Sequence, residues 1–380
     1  MKTLLVTGAA GFIGKNLTVA VKRQGNRRVI AVDVQDPPGA LVAGLDQADA
    51  IIHLAGVNRP ERVEEFEAGN LGSLQDVMNR LRESGRRPLV ALSSSMQATL
   101  DNPYGVSKRR AEEALRAFGE ETGTPVRIFR LPGVFGKWCR PNYNSVVATF
   151  CHNIAHDLPI SISDPSREIE LAYLDDVVAA FIGLLDGREP AQADGVCQAH
   201  PTYHTTLGAL ADTIKGFRES RQTLQLADFA DPFTRKLYAT YLSYLPADDF
   251  AYALQQRTDP RGVLAELLKS PHFGQIFVSR TKPGITRGNH YHDTKVEKFC
   301  VIDGDAIIRF RHILNGEVLE YPVSGRDFKV VDIPPGYTHS IQNVGEGELI
   351  TLFWASELFD PSKPDTYAMP VLDLGKDQVQ

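Results

Sequence analysis

Cysteine is scarce: the 380-residue chain has four, Cys139, Cys151, Cys197 and Cys300, far apart and never in a CxxC pair. That spacing excludes a zinc ribbon and offers no disulfide framework, so a reducing cytoplasm is the expected setting. Long apolar runs are also missing. No stretch approaches the roughly 18 apolar residues of a membrane span, and Leu4-Leu5-Val6 breaks at once into Thr7-Gly8 with no basic flank or cleavage site. Neither secretion nor a membrane is expected. Nor is there a Lys/Arg block: 41 basic against 47 acidic residues leave a formal charge of −6, which argues against nucleic acid and anionic membranes as partners. What is present is ordinary and sufficient, since 43% apolar and 23% charged residues build real cores and rule out a mostly disordered chain. The length predicts two domains.

Short apolar runs, Leu4 to Thr7, Val29 to Val34, Ala50 to Leu54, Leu89 to Ser93 and Val126 to Leu131, alternate with helical patterns such as Val63 to Glu83 and Ser107 to Glu121. This alternation predicts an α/β doubly wound parallel sheet with helices on both faces. Arg218 to Tyr244 shows no strand pattern, and Pro246-Ala247-Asp248-Asp249 reads as a hinge, so the expected domains are 1–245 and 246–380. From about Gly274, short β-rich runs separated by Gly, Pro and Asn predict an all-β antiparallel barrel or jelly roll, with no long helix after Leu268.

Gly8-Ala9-Ala10-Gly11-Phe12-Ile13-Gly14 follows the first strand and opens a helix. Missing Cβ atoms there let the backbone approach a pyrophosphate, and the helix N-terminus attracts its charge. Asp33 stands at the end of the second strand, where a ribose-binding acid belongs; its carboxylate favours NADH over NADPH unless Arg27, Arg28 or Arg59 folds over it. Tyr104 and Lys108 lie four residues apart on one helix face, so the cation can lower the phenol's pKa and grip a ribose. Ser93-Ser94-Ser95 ends the preceding strand and supplies hydroxyls for a carbonyl oxygen.

Thr7-Gly8-x-x-Gly11-x-x-Gly14, His53-Leu54-Ala55-Gly56, Asn70, Ser93 to Ser95, Tyr104-x-x-x-Lys108 and Arg130-Leu131-Pro132-Gly133-Val134-Phe135-Gly136 together resemble an extended short-chain dehydrogenase/reductase of the nucleotide-sugar-modifying kind. The resemblance implies a Rossmann-like fold and makes Ser95, Tyr104 and Lys108 catalytic, with Ser94 the second choice for the serine. Phe12, Ile13, Leu54, Ala55 and Asn70 would join the glycines on the cofactor side. Asn142, Asn144 and Arg167 become candidates for the sugar nucleotide, beside the plain reading of Arg167 as a solvated loop charge.

His290 and His292 are two apart, so one strand points both imidazoles to one face, and a hairpin can bring Glu297 beside them. Pro334 to Asn343 adds His339. With Gly284 and Gly304 this pair of motifs resembles the cupin barrel, in which His290, His292, Glu297 and His339 would be metal ligands. The second motif departs from the pattern, since Phe328 stands where its leading glycine should. Three imidazoles and a carboxylate suit zinc or another divalent metal, Mn, Fe or Ni. A metal-free epimerase barrel using His and Tyr as acid and base is the alternative.

The order reductase then cupin, with Leu92 to Thr99, Asp101 to Gly105, Phe135 to Cys139, Tyr241 to Pro246 and Gly284 to His290, resembles the CapF type of bifunctional enzyme over nearly the whole chain. That resemblance implies UDP-N-acetyl-L-fucosamine synthesis for capsule or O-antigen. The zinc cupin would epimerise C3 of a UDP-2-acetamido-2,6-dideoxy-hexos-4-ulose, and the N-terminal domain would reduce the C4 ketone with NADPH. It also implies a homodimer. Asp33 departs from the NADPH expectation. Two other readings stand beside it: a dinucleotide-binding sensor or scaffold, and a plain reductase whose cupin serves only in metal-stabilised dimerisation.

Overall fold

The computed structural model describes residues 1–372 except Pro38, Glu189, Ala191 and Asp194. The five apolar runs form β1 (Lys2–Thr7), β2 (Arg27–Val32), β3 (Ala50–His53), β4 (Leu89–Ser95) and β5 (Val126–Leu131), parallel in the order β2-β1-β3-β4-β5. A small second sheet holds β6 (Gly133–Phe135), β7 (Glu168–Tyr173) and β10 (Thr202–Thr206), while β8 (Gln192–Ala193) and β9 (Val196–Cys197) extend the first. Alternation along the strands sends Leu4, Val6, Ile52, Ala91 and Phe129 to one face and Leu5, Ile51, Val90, Leu92 and Ile128 to the other. Leu17, Val21, Val177 and Phe181 of helices Phe12–Gln24 and Leu174–Leu185 cover the first face. Leu74, Val77, Leu81, Ala111, Leu115 and Phe118 of helices Ser73–Ser84 and Pro103–Thr122 cover the second. Burial on both faces is why the runs read as continuous apolar stretches. The strand order reverses between β1 and β3, so a crevice for ligands opens at their C-terminal ends.

The second strand is shorter than its pattern. It stops at Val32 because the Asp33 carboxylate accepts from Val34 N at 2.8 Å and the Asp36 carboxylate accepts from Asp33 N at 2.7 Å, which turns the chain.

Residues 1–215 with 232–246 form one compact unit, and 216–231 with 247 onward form another. Within the second, Asp249 of the expected hinge accepts from Arg218 at 3.0 Å and from Arg221 at 2.6 Å. Its strands are β11 (Gln256–Asp259), β12 (Gly262–Ser270), β13 (Gly274–Thr281), β14 (Thr286–Tyr291), β15 (Glu297–Asp303), β16 (Asp305–His312), β17 (Val318–Ser324), β18 (Val330–Ile333), β19 (Tyr337–Asn343), β20 (Leu349–Ala355) and β21 (Tyr367–Ala368). They pair antiparallel in two sheets, β11-β12-β13-β20-β15-β18 and β17-β16-β19-β14-β21. Phe299, Val301, Ile308, Phe310, Ile341 and Phe353 fill the core. The β region thus starts at Gln256, ahead of the expected Gly274. Gly262 to Ser270, with its Leu, Ala and Glu, has helix-like composition, and pairing with β13 overrides it. Phe328 does what the missing motif glycine would do: its φ is 44°, in the left-handed region, with the ring exposed. Among the described residues no helix is long and apolar enough to cross a membrane.

Candidate functional site

The glycine loop sits in the crevice where β1 and β3 end. Gly8 has φ 65°, and a Cβ there would lie 2.6 Å from Ala55 N. At Gly14 a Cβ would fall 2.3 Å from the Gly8 carbonyl. Both positions therefore demand glycine, the first for close approach of two loops and the second for packing the helix against its own turn. Gly11 caps helix Phe12–Gln24, whose first residues Phe12 and Ile13 pack on the core. Leu54 and Ala55 continue β3 past the same turn, tied by Leu54 N to the Thr7 carbonyl at 3.1 Å. Asp33 leans onto this loop, its Oδ2 accepting from Ala10 N at 2.8 Å. Arg27 turns instead to Leu185 and Asp186, and Arg28 to Gln47.

Helix Pro103–Thr122 starts on Asn102, whose side chain accepts from Gly105 N at 2.8 Å, with Pro103 in the first turn. That start sets Tyr104 and Lys108 on the face toward the end of β4. Burial raises the Tyr104 phenol, and a hydrogen bond with Ser95 works against the rise. The buried Lys108 donates to the Ser93 carbonyl at 3.2 Å; burial pushes its ammonium down to about 8, against the pull of Glu112. Ser94 is turned away from the phenol and donates to Glu112 at 2.6 Å. The structure thus brings Ser95, Tyr104 and Lys108 together and commits Ser94 elsewhere.

Asn70 is buried on the π-helical turn Glu67–Gly72 and fully engaged: Oδ1 accepts from Val57 N at 3.1 Å, and Nδ2 donates to the Val57 carbonyl at 3.1 Å and to Ser107 Oγ at 3.0 Å. It braces the Lys108 helix against the β3 loop. Gly56 lies between, where a Cβ would stand 2.6 Å from Asn70 Oδ1 and 3.2 Å from Lys108 Nζ. His53 is buried and neutral, held down to about 3 by burial and then Lys108, with Nδ1 2.8 Å from Thr7 Oγ1. The motif that carries Leu54 and Ala55 also contains His53, yet nothing in the spacing told of its burial. Asn142 and Asn144 are exposed before helix Val146–Ala155, and the Asn142 side chain donates to Asn153 at 3.3 Å. Arg167 is exposed ahead of β7.

In the barrel, β14 carries His290, the following loop His292, β15 begins at Glu297 and β19 carries His339. His290 and His339 are cross-strand neighbours. One ligand atom from each of the four residues falls within 4.8 Å of the others. Glu297 Oε2 lies 3.4 Å from His339 Nε2 and 3.5 Å from His292 Nε2 without forming a hydrogen bond to either: His292 Nε2 and both ring nitrogens of His339 are buried without a hydrogen-bond partner. Such orphaned lone pairs are costly unless a cation takes them, so the donor set fits a divalent ion. Burial, then His339 and His292, push His290 down to about 4, keeping that ring neutral. Burial alone would raise the Glu297 carboxyl, but the imidazoles of His292 and His339 hold it well below the usual carboxylate range. The Asp365 carbonyl bonds His292 Nδ1, which leaves Nε2 to the centre of the cluster. The Asp365 carboxylate in turn accepts from Asp293 N, Thr294 N and Lys295 N at 2.9, 3.0 and 2.8 Å, fixing the loop between His292 and Glu297. Sequence reasoning missed Asp365, which is remote in the chain and acts through a carbonyl that every residue has.

Residues 4–194 match the NAD dependent epimerase/dehydratase family, and residues 257–367 match the polysaccharide biosynthesis C-terminal domain. A Pseudomonas aeruginosa protein named UDP-2-acetamido-2,6-beta-L-arabino-hexul-4-ose reductase is 46% identical over 368 residues, 97% of this chain and 98% of that protein. The crystal structure of the capsular polysaccharide assembling protein CapF from Staphylococcus aureus superposes with TM-score 0.91 and 46% identity, over 97% of this chain and 99% of that one. The Bacillus cereus UDP-glucuronic acid 4-epimerase, at 17% identity and TM-score 0.53 over 64% of this chain and 96% of that one, shares the fold alone. Identity of this extent over both units leaves one assignment: the chain belongs to the CapF-type family, a NAD-dependent epimerase/dehydratase joined to a polysaccharide-biosynthesis C-terminal domain.

Proposed function

We propose that this chain reduces the C4 ketone of a UDP-2-acetamido-2,6-dideoxy-hexos-4-ulose in residues 1–245 and inverts C3 of the same sugar in the barrel of residues 246–380, in UDP-N-acetyl-L-fucosamine synthesis for capsule or O-antigen. The observation that carries the reading is the full-length likeness to a named UDP-hexul-4-ose reductase in a chain where Ser95, Tyr104 and Lys108 meet beside the glycine loop. The last eight residues of the barrel segment lie outside the described residues.

A bound nicotinamide dinucleotide supplies the hydride. Gly8, Gly11 and Gly14 let its pyrophosphate reach the N-terminus of helix Phe12–Gln24, with Phe12, Ile13, Leu54 and Ala55 along the same crevice, and Asp33 takes the ribose hydroxyls. Ser95 holds the ketone oxygen, Tyr104 delivers the proton to it, and the Lys108 ammonium steadies the phenolate left behind. Asp33, with Arg27 and Arg28 drawn off, supports NADH as the reductant at least as good as NADPH. Asn142, Asn144 and Arg167 are assigned to the sugar nucleotide, and a homodimer is the expected assembly.

His290, His292, Glu297 and His339 would hold zinc or another divalent metal, which when bound polarises the C4 ketone oxygen as a Lewis acid. The ketone acidifies the C3 proton, so the barrel has only to present that carbon to a base and return the proton on the opposite face. Reduction afterwards removes the ketone and locks the new configuration. The test is to incubate the protein with UDP-4-keto sugars in D₂O, with and without NADH or NADPH, and read products by NMR. Deuterium at C3 without reductant, and a C4 alcohol with it, is the expected result; reduction with no C3 exchange would leave a plain reductase.

A further inference from the structure

Helix Pro103–Thr122 carries Tyr104, Lys108 and Glu112 at four-residue intervals, so all three face the end of β4. Each meets a different serine. The Ser95 side chain lies beside the Tyr104 phenol, the Ser93 carbonyl accepts from Lys108 Nζ at 3.2 Å, and the Ser94 hydroxyl donates to Glu112 Oε1 at 2.6 Å. This third rung is the deepest, the Glu112 side chain being 1% exposed. From β5, Arg130 is the register neighbour of Ser94, and its guanidinium forks onto the carboxylate: Nε lies 2.9 and 3.2 Å from the two oxygens and Nη2 2.7 Å from Oε2. A buried ion pair adds little stability over a well-packed apolar replacement. What the pair holds in place is therefore the more informative question.

We propose that Glu112 is a positioning residue for ketone reduction: clamped by Arg130, it pins Ser94, so that Ser95 one residue further on aims at Tyr104, and it sets a negative charge facing the Lys108 ammonium. The inference rests on the reduction reading above. Ser94 and Ser95 are adjacent on an extended strand and point to opposite sides, so fixing one fixes the other. Around Lys108 stand Tyr104 and Glu112 on its own helix, neutral His53 at the end of β3, and the uncharged Asn70. Arg130 and Arg116, the latter 3.9 Å from Glu112 Oε2, address the carboxylate. Burial drives Lys108 toward the free amine, and Glu112 opposes it.

The test is the pH profile of single-turnover reduction of a C3-inverted ketone, with Ser94→Ala, Ser94→Thr, Glu112→Gln and the charge-neutral pair Glu112→Gln with Arg130→Gln. Ser94→Ala should lower turnover about tenfold or more without moving the alkaline limb, and Ser94→Thr should restore it. Glu112→Gln should lower turnover and also shift the alkaline limb down by about half a unit or more, with dinucleotide binding kept. If Glu112→Gln does not fold, the double variant must show the same shifted limb. Wild-type turnover in Ser94→Ala, or an unmoved limb in whichever Glu112 variant folds, overturns the proposal. Should neither Glu112 variant fold, the Ser94 pair decides alone. Tyr104→Phe run alongside separates the two levels. If it still reduces the ketone, the reduction reading fails; if it does not while the Ser94 and Glu112 variants behave as wild type, only this proposal falls.

Discussion

The two sites solve opposite problems with their polar atoms. Around Tyr104 the groups are held by hydrogen bonds of the protein itself: Ser95 by Gln97 N, Lys108 to a backbone carbonyl, Asn70 to Val57 and Ser107, Ser94 to Glu112. In the barrel, imidazole nitrogens of His292 and His339 are buried without partners. A proton-transfer site gains from being preorganised by its own hydrogen bonds, because its geometry is then set before substrate arrives. A metal site must keep lone pairs uncommitted, so binding of its ion adds directly to the stability of the fold that presents them. From this contrast the first site should resist loss of its ligand and fail by losing one proton donor, and the second should depend on its ion.

The largest effect tests the first half. Tyr104→Phe should cut ketone reduction by at least about a hundredfold, the scale of general acid catalysis, while dinucleotide binding and C3 exchange persist. Near-wild-type turnover would show that the bonded network is only structural. Next comes the ion. Elemental analysis should find about one divalent ion per chain, and His339→Ala or chelation should abolish C3 exchange. A chelated barrel should also lose stability, on the order of 2.7 kcal/mol relative to ion at a hundredfold its dissociation constant, seen as a lower unfolding temperature. Reduction of a supplied C3-inverted ketone should continue. If chelation stops that reduction as severely as exchange, the chemistries are not divided as argued.

A smaller effect concerns Asp33. Its carboxylate leans on the glycine loop through Ala10 N, and Arg27 and Arg28 are engaged elsewhere, so a 2′-phosphate would meet a negative charge without a compensating arginine from that strand. Asp33→Ala should raise NADPH efficiency relative to NADH by about tenfold, one close like-charge contact screened nearly as in water at this exposed carboxylate being of that order. A strong NADPH preference in the unaltered protein would refute the reading.

How much of this was readable beforehand follows the same contrast. The parallel sheet was legible because strands buried on both faces leave continuous apolar runs, and the glycine loop because Gly8 and Gly14 have no room for a Cβ. The four barrel residues were legible because His290 and His292 share a short motif. What escaped acts through the backbone or across the sheet: the Asp365 carbonyl on His292, and Arg130 on Glu112, neither of which is encoded by local spacing. The start of the barrel escaped for another reason, since β12 is strand by pairing and helix-like by composition.

The last expected effect is on acid stability; it is spread over several pH units and separates the two units by ligand. His53 is held neutral, its pKa near 3 against an ordinary 6.5, by burial first and Lys108 second. Between those values the unfolded chain binds a proton that the native ring refuses, so stability rises with pH through that window and is level above it. The slope from one such group is at most about 1.4 kcal/mol per pH unit. His290 in the barrel is lowered to about 4 and has the same sign without metal. The difference lies in what acid releases. His53 accepts its burial through Thr7 and Ser73, at 2.8 and 3.4 Å, whatever is bound elsewhere. Replacing it by Asn should therefore flatten the acid slope of the first unit equally with and without chelator. The barrel's slope should steepen when divalent ion is present, because protons then compete with the ion for the same nitrogens. Melting curves from pH 7 to 4, with and without chelator, would show this, and a barrel slope indifferent to metal would mean that these imidazoles are not its ligands.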